Sequence, residues 1–233
     1  MSSKEIETIG ILGAGKVGTA IARQAVKAGY KVLVATAKRS DEISLIVEMT
    51  APGAQAISAE TAVRDSDVVV LALPLNKYRT LDPALLNGKI VIDVMNYWAP
   101  TDGVLDEFEG GRLSSEIVQD YLEGARLVRT LNHIGYHELE EDGLPRGHAD
   151  RRALAVASDD PEARAMILAF SERLGFDAVN AGALINSREF AAGTEIFSRR
   201  HQREEMEAHF SGAAPVRFDA RRAVASLSDH SGI

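Results

Sequence analysis

Six residues near the N-terminus, Gly13-Ala14-Gly15-Lys16-Val17-Gly18, have the types and spacing to hold an anion on backbone alone. In such a loop the first glycine permits a tight turn, the second lets the backbone approach a pyrophosphate, and the third lets helix and strand pack closely. A helix opening there offers free N–H groups and the positive end of its dipole. The plain alternative is a glycine-rich turn with no ligand, because the spacing alone is weak. Context strengthens it. Thr8 to Leu12 reads as a strand before the loop. Val17, Ala20, Ile21, Gln24, Ala25 and Ala28 recur at helical spacing after it, Gly29 stops that helix, and Lys31 to Ala35 reads as a second strand. Strand, glycine loop, helix and strand together spell a Rossmann dinucleotide-binding unit.

The end of the second strand chooses the dinucleotide. Folds selective for NAD usually place Asp or Glu about 20 residues after the fingerprint, against the ribose hydroxyls. This chain offers Ala35-Thr36-Ala37-Lys38-Arg39-Ser40, with no acid before Asp41. A hydroxyl at Thr36 and cations at Lys38 and Arg39 suit the 2′-phosphate of NADP(H), because charge-assisted bonds to phosphate are strong. The bland reading is a solvated basic turn.

Ligands in open α/β sheets sit outside the carboxyl ends of the strands. Leu73, Pro74, Asn96, Tyr97, Trp98, Asn132 and His133 follow predicted strands, so they are candidates to line the nicotinamide half. Asn96, Asn132 and His133 are positioning candidates rather than acids or bases. Each has an ordinary alternative: Pro74 as a strand terminator, the asparagines as loop-capping amides, Trp98 as a packed aromatic. His137, Glu138, Glu140, Glu141, Asp142, His148 and Asp150 form an acidic, His-bearing segment without a helical His pair, so no metal site is expected. No GxSxG elbow occurs, which leaves Ser/His/Asp catalysis without support.

The positioning elements alternate. Further strands are predicted at Ala54 to Ile57, Asp67 to Leu73, Lys89 to Val94, Arg126 to Leu131, Ala153 to Ala157 and Phe176 to Asn180. Helices are predicted around Ile43 to Val47, over Ser114 to Leu122, and from Asp160-Pro161-Glu162 to Gly175. This is an α/β pattern: a doubly wound, mainly parallel sheet covered by helices. Residues 5–131 read as the Rossmann core and 132–233 as a smaller extension. Within the extension, 135–152 is expected to be a long loop. Ser198 to Phe210 is expected to form an exposed helix with Arg and Glu four residues apart. From Ser211 the chain reads as a flexible tail or an arm onto a partner subunit.

Composition excludes several classes. The chain has 233 residues, enough for a core without staples, and no cysteine, which removes disulfides, thiolate metal sites and Cys nucleophiles. A net charge of −8 argues against nucleic acid as a partner. The start carries no apolar signal segment, and the run Val68 to Leu73 is too short to cross a bilayer. A cytoplasmic protein without membrane contact is expected.

The residues also resemble a family: the NADP oxidoreductases that reduce the deazaflavin coenzyme F420. They are similar as well to the cytosolic oxidoreductase domain of six-transmembrane ferric reductases. The glycine loop, the Thr36-to-Arg39 turn, Leu73-Pro74, Val91 to Asn96, Ser114 to Val118, Arg129 to His133, and Leu174 through Ala181-Gly182-Ala183-Leu184 to Ser187-Arg188-Glu189 carry the resemblance, over roughly residues 6 to 197. It implies a Rossmann core whose sheet is extended by C-terminal strands, and hydride exchange between NADPH and a flavin or deazaflavin co-substrate, with a homodimer as one assembly. Ala37 departs from the family's usual cation there, and the polar segment from Glu195 departs from its apolar last helix. Two other functions stay open. One is an NADPH-binding sensor without turnover. The other is a small β-hydroxyacid or imine-type dehydrogenase, which needs a larger second helical domain than the chain beyond Leu131 offers.

Overall fold

Alternation along buried strands sends successive side chains to opposite faces of one sheet, and both faces here are covered. The computed structural model describes residues 5–212. The expected tail beyond Gly212 lies outside the described residues. The strands are β1 (Thr8–Leu12), β2 (Lys31–Ala35), β3 (Gln55–Ala56), β4 (Val68–Leu71), β5 (Ile90–Asp93), β6 (Arg126–Arg129), β7 (Ala153–Ala157) and β8 (Asp177–Gly182). They form one sheet in the order β3-β2-β1-β4-β5-β6-β7-β8. All neighbours pair in parallel except β6 and β7, which are antiparallel at Arg129 and Ala157. The first six strands have the Rossmann order, and the later two extend the same sheet, as the resemblance implied.

On one face Ile9, Ile11, Val32, Val34, Val68, Val70 and Val128 pack against α1 (Lys16–Lys27), α2 (Ser40–Thr50) and, further along, α9 (Pro161–Leu174). On the other, Leu33, Val69, Leu71, Val91 and Leu127 meet α3 (Ala59–Arg64), α4 (Pro83–Leu86) and α7 (Ser114–Tyr121). Between them run two short helices, α5 (Ala99–Asp102) and α6 (Asp106–Glu109). Tyr78 lies edge-on to both Phe108 and Tyr121 on that side.

The extension differs from the sequence expectation at two places. Residues 135–152 are not a free loop. They include α8 (Glu138–Glu141), with Leu139 buried. Arg23 of α1 bonds Glu140, so the segment is clamped along α1, while the Gln24 amide ties α1 to the Leu174 carbonyl at the end of α9. The helix expected from Ser198 begins later, as α10 (Arg203–Gly212). It is not wholly exposed. Met206 is buried and Phe210 packs with it against Ala153, Ala155, Ala157, Val179 and Phe190. Small alanines on β7 give that second face room for a close cover. Charge spacing revealed the outer side of this helix and concealed the inner one.

Candidate functional site

The glycine loop divides its labour. Gly13 has φ +132°, and a Cβ there would fall 2.0 Å from the Ala72 carbonyl oxygen. A Cβ on Gly18 would fall 2.1 Å from the Gly13 oxygen. These two glycines lock the turn against the end of β4. Gly15 is different: a Cβ added there meets no atom within 4 Å. It is exposed and sits at the N-cap of α1 without a side-chain cap, and no acid lies in the first turn. Backbone, amides and an uncompensated positive helix end therefore face open space, and that shelf fits a pyrophosphate.

Thr36 follows β2 half-buried, with Ala37, Lys38 and Arg39 exposed beyond it. The Lys38 N–H donates to Thr36 Oγ1 at 3.1 Å, which curls the turn. The Arg39 guanidinium is engaged two residues on, with both oxygens of Asp41. An anion there meets one cation already shared with a carboxylate. Leu73 is half-buried and Pro74 exposed where the chain leaves β4 for a 3-10 turn at Leu75–Thr80.

At the ends of β5 and β6 the structure brings Asn96 and Asn132 together. The Asn96 Nδ2 donates to the Asn132 carbonyl at 2.7 Å. Asn132 Nδ2 donates to the Phe190 carbonyl at 3.0 Å. Asn132 is buried while Asn96 remains half-open. Leu131, between strand and turn, has φ +60°, a conformation that costs a branched residue energy and persists only when its surroundings enforce it.

His133 turns into the core instead, 1% exposed. Its Nε2 accepts the Ala155 N–H at 3.1 Å, and Nδ1 lies 3.2 Å from Asn132 Oδ1. That pattern makes a neutral ring with its hydrogen on Nδ1. Burial, with Arg152, Arg129 and His201 nearby, pushes its pKa down to about 3. The ring spaces the Asn132 turn from β7 and carries no charge at neutral pH. Tyr97 is engaged on the helical side as well. Its ring rests on Phe108 and its hydroxyl donates to Glu109 at 2.7 Å. Trp98 stays half-buried.

Three residues here escaped sequence reading. Asp93 and Arg129 form a buried ion pair at 2.8 Å, each the last residue of its strand. Burial pushes the Asp93 carboxyl up, opposed by the charge of Arg129. A charged residue closing each of two apolar runs was the available signal. Tyr136 is the third. Lys16 Nζ lies 5.3 Å from its ring centre, so the segment after β6 reaches the glycine loop. The acidic segment is spent on structure: Glu138 and Asp142 both pair with Arg152, at 2.8 and 3.0 Å.

Sheet order and the glycine turn define a Rossmann-type α/β fold. Residues 8–97 match the family described as NADP oxidoreductase, coenzyme F420-dependent, so this segment is similar to that family. The glyoxylate reductase of Thermococcus kodakarensis is 41% identical over 71 residues, 30% of this chain but only 20% of that enzyme's length. The solved protein SMa0349 of Sinorhizobium meliloti is 24% identical, covering 84% of this chain and 96% of its own, with a TM-score of 0.72. An Arthrobacter sp. FB24 protein described as an F420-dependent NADP-reductase is 20% identical, over 85% and 100% of the two chains, with a TM-score of 0.66. An imine reductase from Pseudomonas sp. shares the fold at 16% identity and a TM-score of 0.52, over 78% of this chain and 57% of that one.

Proposed function

We propose that the chain binds NADP(H) on the Gly13–Gly18 loop and the Thr36–Arg39 turn and exchanges a hydride with a small flat-ring acceptor, a flavin or deazaflavin. One observation carries this: an open Gly15 at an acid-free helix start stands with a hydroxyl-and-cation turn after β2. When bound, the nicotinamide supplies or takes the hydride, chemistry that needs no side-chain acid or base. The chain's own residues bind and orient. The α1 amides hold the pyrophosphate; Thr36, Lys38 and Arg39 hold the 2′-phosphate. Asn96, braced by Asn132, fixes the carboxamide end, and Trp98 borders the acceptor. The family match over residues 8–97 supports the oxidoreductase reading.

Calorimetry with NADPH and NADH, followed by NADPH oxidation with FMN, a deazaflavin, a quinone and a cyclic imine, tests it. NADPH should bind more tightly than NADH. Lys38→Ala should weaken NADPH by about one to two powers of ten and leave NADH nearly unchanged. Equal losses for both nucleotides overturn the 2′-phosphate role. Tight binding with no acceptor reduced turns the reading to a sensor. Turnover of the imine alone turns it to the dehydrogenase class.

A further inference from the structure

We propose that Arg129, anchored by Asp93, is a positioning residue that locks the Asn96 amide with a nitrogen hydrogen outward. Asn96 thereby becomes an obligatory donor to a carbonyl oxygen of the bound ligand. This rests on the proposed function, with the carboxyl ends of β5 and β6 as the nicotinamide and acceptor site, and it names what that site recognises there.

The orientation of an asparagine amide is ordinarily ambiguous, because oxygen and nitrogen can exchange places. Here two neighbours remove the ambiguity. Arg129 has donors only, and its Nη2 lies 2.9 Å from one amide atom of Asn96, which must therefore be Oδ1. The Asn132 backbone carbonyl can only accept, and it lies 2.7 Å from the other atom, which must be Nδ2. Asn132 Nδ2 adds a weaker contact to Oδ1 at 3.4 Å. The oxygen thus has both lone pairs engaged within the protein, and the nitrogen has one hydrogen engaged. One N–H remains, on a half-buried side chain at the ligand-binding edge of the sheet.

Arg129 is itself held firmly. Its Nη1 meets Asp93 at the side chain, 2.8 Å, and at the backbone carbonyl, 3.2 Å. Asp93 Oδ1 accepts the Met95 N–H at 2.9 Å, which fixes the chain just before Asn96. The left-handed Leu131 aims the Asn132 carbonyl at the amide. Two ligand groups have the chemistry to receive the outward hydrogen: the carboxamide oxygen of nicotinamide and a ring carbonyl of the acceptor.

Asn96→Asp separates this role from simple bracing. It keeps an oxygen for Arg129, so the tie between β5 and β6 survives, but it puts a carboxylate oxygen where the N–H was. Because that oxygen also faces the Asn132 carbonyl, the melting temperature should fall; at a temperature where both proteins are folded, the proposal expects binding of one ligand weakened about tenfold or more. Loss in the NADP+ Kd assigns the hydrogen bond to the carboxamide; loss in the acceptor KM assigns it to the acceptor ring. Arg129→Lys keeps a cation for Asp93 but cannot fork to Asn96 as well. It should give the same defect, and the double variant should be no worse than either single one. Both constants within about twofold of wild type in Asn96→Asp would overturn the donor role, since a lost hydrogen bond to a ligand costs more. Additive losses in the double variant would overturn the positioning role. The Asn96 side-chain amide resonances, assigned by their absence in Asn96→Asp, give a readout without ligand. They should be well dispersed in wild type and collapse toward free-amide positions in Arg129→Lys; unchanged resonances would overturn the lock. A wild type that binds no nucleotide sinks the proposed function, and the resonances still decide the lock.

Discussion

Glycine is used for two different reasons within six residues. Gly13 and Gly18 lack side chains because the fold leaves no room, with backbone oxygens at 2.0 and 2.1 Å from where Cβ would stand. Gly15 lacks one although nothing nearby forbids it, and its φ of −81° is open to any residue. The reason for a glycine there lies outside the protein, in whatever approaches the backbone. Gly15→Val should therefore fold with a melting temperature close to wild type, yet lose NADPH binding by at least about two powers of ten, as a branched side chain fills the shelf. Gly13→Ala should instead be destabilised before any ligand is added. Thermal melts beside NADPH titrations distinguish the two, and intact NADPH affinity in Gly15→Val would remove the shelf from the site.

Helix α9 shows how an element is fixed at both ends by its sequence. Asp160 accepts from the Glu162 and Ala163 N–H groups, both at 2.9 Å; Pro161 opens the helix; Gly175 closes it in the left-handed conformation. Asp160 also pairs with Arg126 at the start of β6, 2.6 Å away. The Arg126 guanidinium holds its carboxyl down to about 2. Because the folded value is lowered, the stabilisation is present above the ordinary carboxylate range, near pH 4, and is lost as pH falls from there toward 2. Asp160→Ala should cost about 1–2 kcal/mol at neutral pH, the range for a lost N-cap. In urea titrations the deficit relative to wild type should shrink between pH 4 and pH 2. A deficit independent of pH would mean that the carboxylate's charge contributes nothing.

Across the whole molecule, the seam between β6 and β7 is where the sheet reverses direction, with a single residue pair in register. Two adjacent arginines strengthen that region from opposite sides. Arg151 reaches Glu172 of α9, at 2.9 Å, and Asp177 of β8, at 3.1 Å. Arg152 reaches Glu138 and Asp142, and donates to the Arg199 carbonyl at 2.9 Å. Each is 1% exposed, so each is a buried charge that depends on its partners. Arg152→Met should cost about 3 kcal/mol, the lower part of the range for breaking a buried pair, because Arg200 still faces Asp142 at 2.8 Å. The lone Trp98 reports on the first half of the chain and far-UV dichroism on all of it. Both probes should shift together in the variant, because one sheet runs through both halves and one core cluster joins Ile9 and Val32 to Leu154 and Phe176. Separate transitions would show the extension unfolding on its own.

The sequence by itself determined the parts governed by near neighbours. β1, β2 and β7 match their expected bounds, because strand alternation is a two-residue property. The glycine loop, the basic turn and the start of α9 are legible because turns and caps are settled within a few residues. The ends drift where tertiary contact overrides local pattern, as with α10, whose buried Met206 weighed less in the sequence than its charges. What only the tertiary structure decided is who meets whom. Asp93 and Arg129 are 36 positions apart, and nothing local pairs them; the parallel register of β5 and β6 does. His133, the expected neighbour of the nicotinamide, is a neutral core residue because β7 runs antiparallel behind it and offers the Ala155 N–H. Asn96 was readable as a candidate, whereas the orientation of its amide was not, since it is imposed by an arginine on another strand and a carbonyl beyond a strained turn.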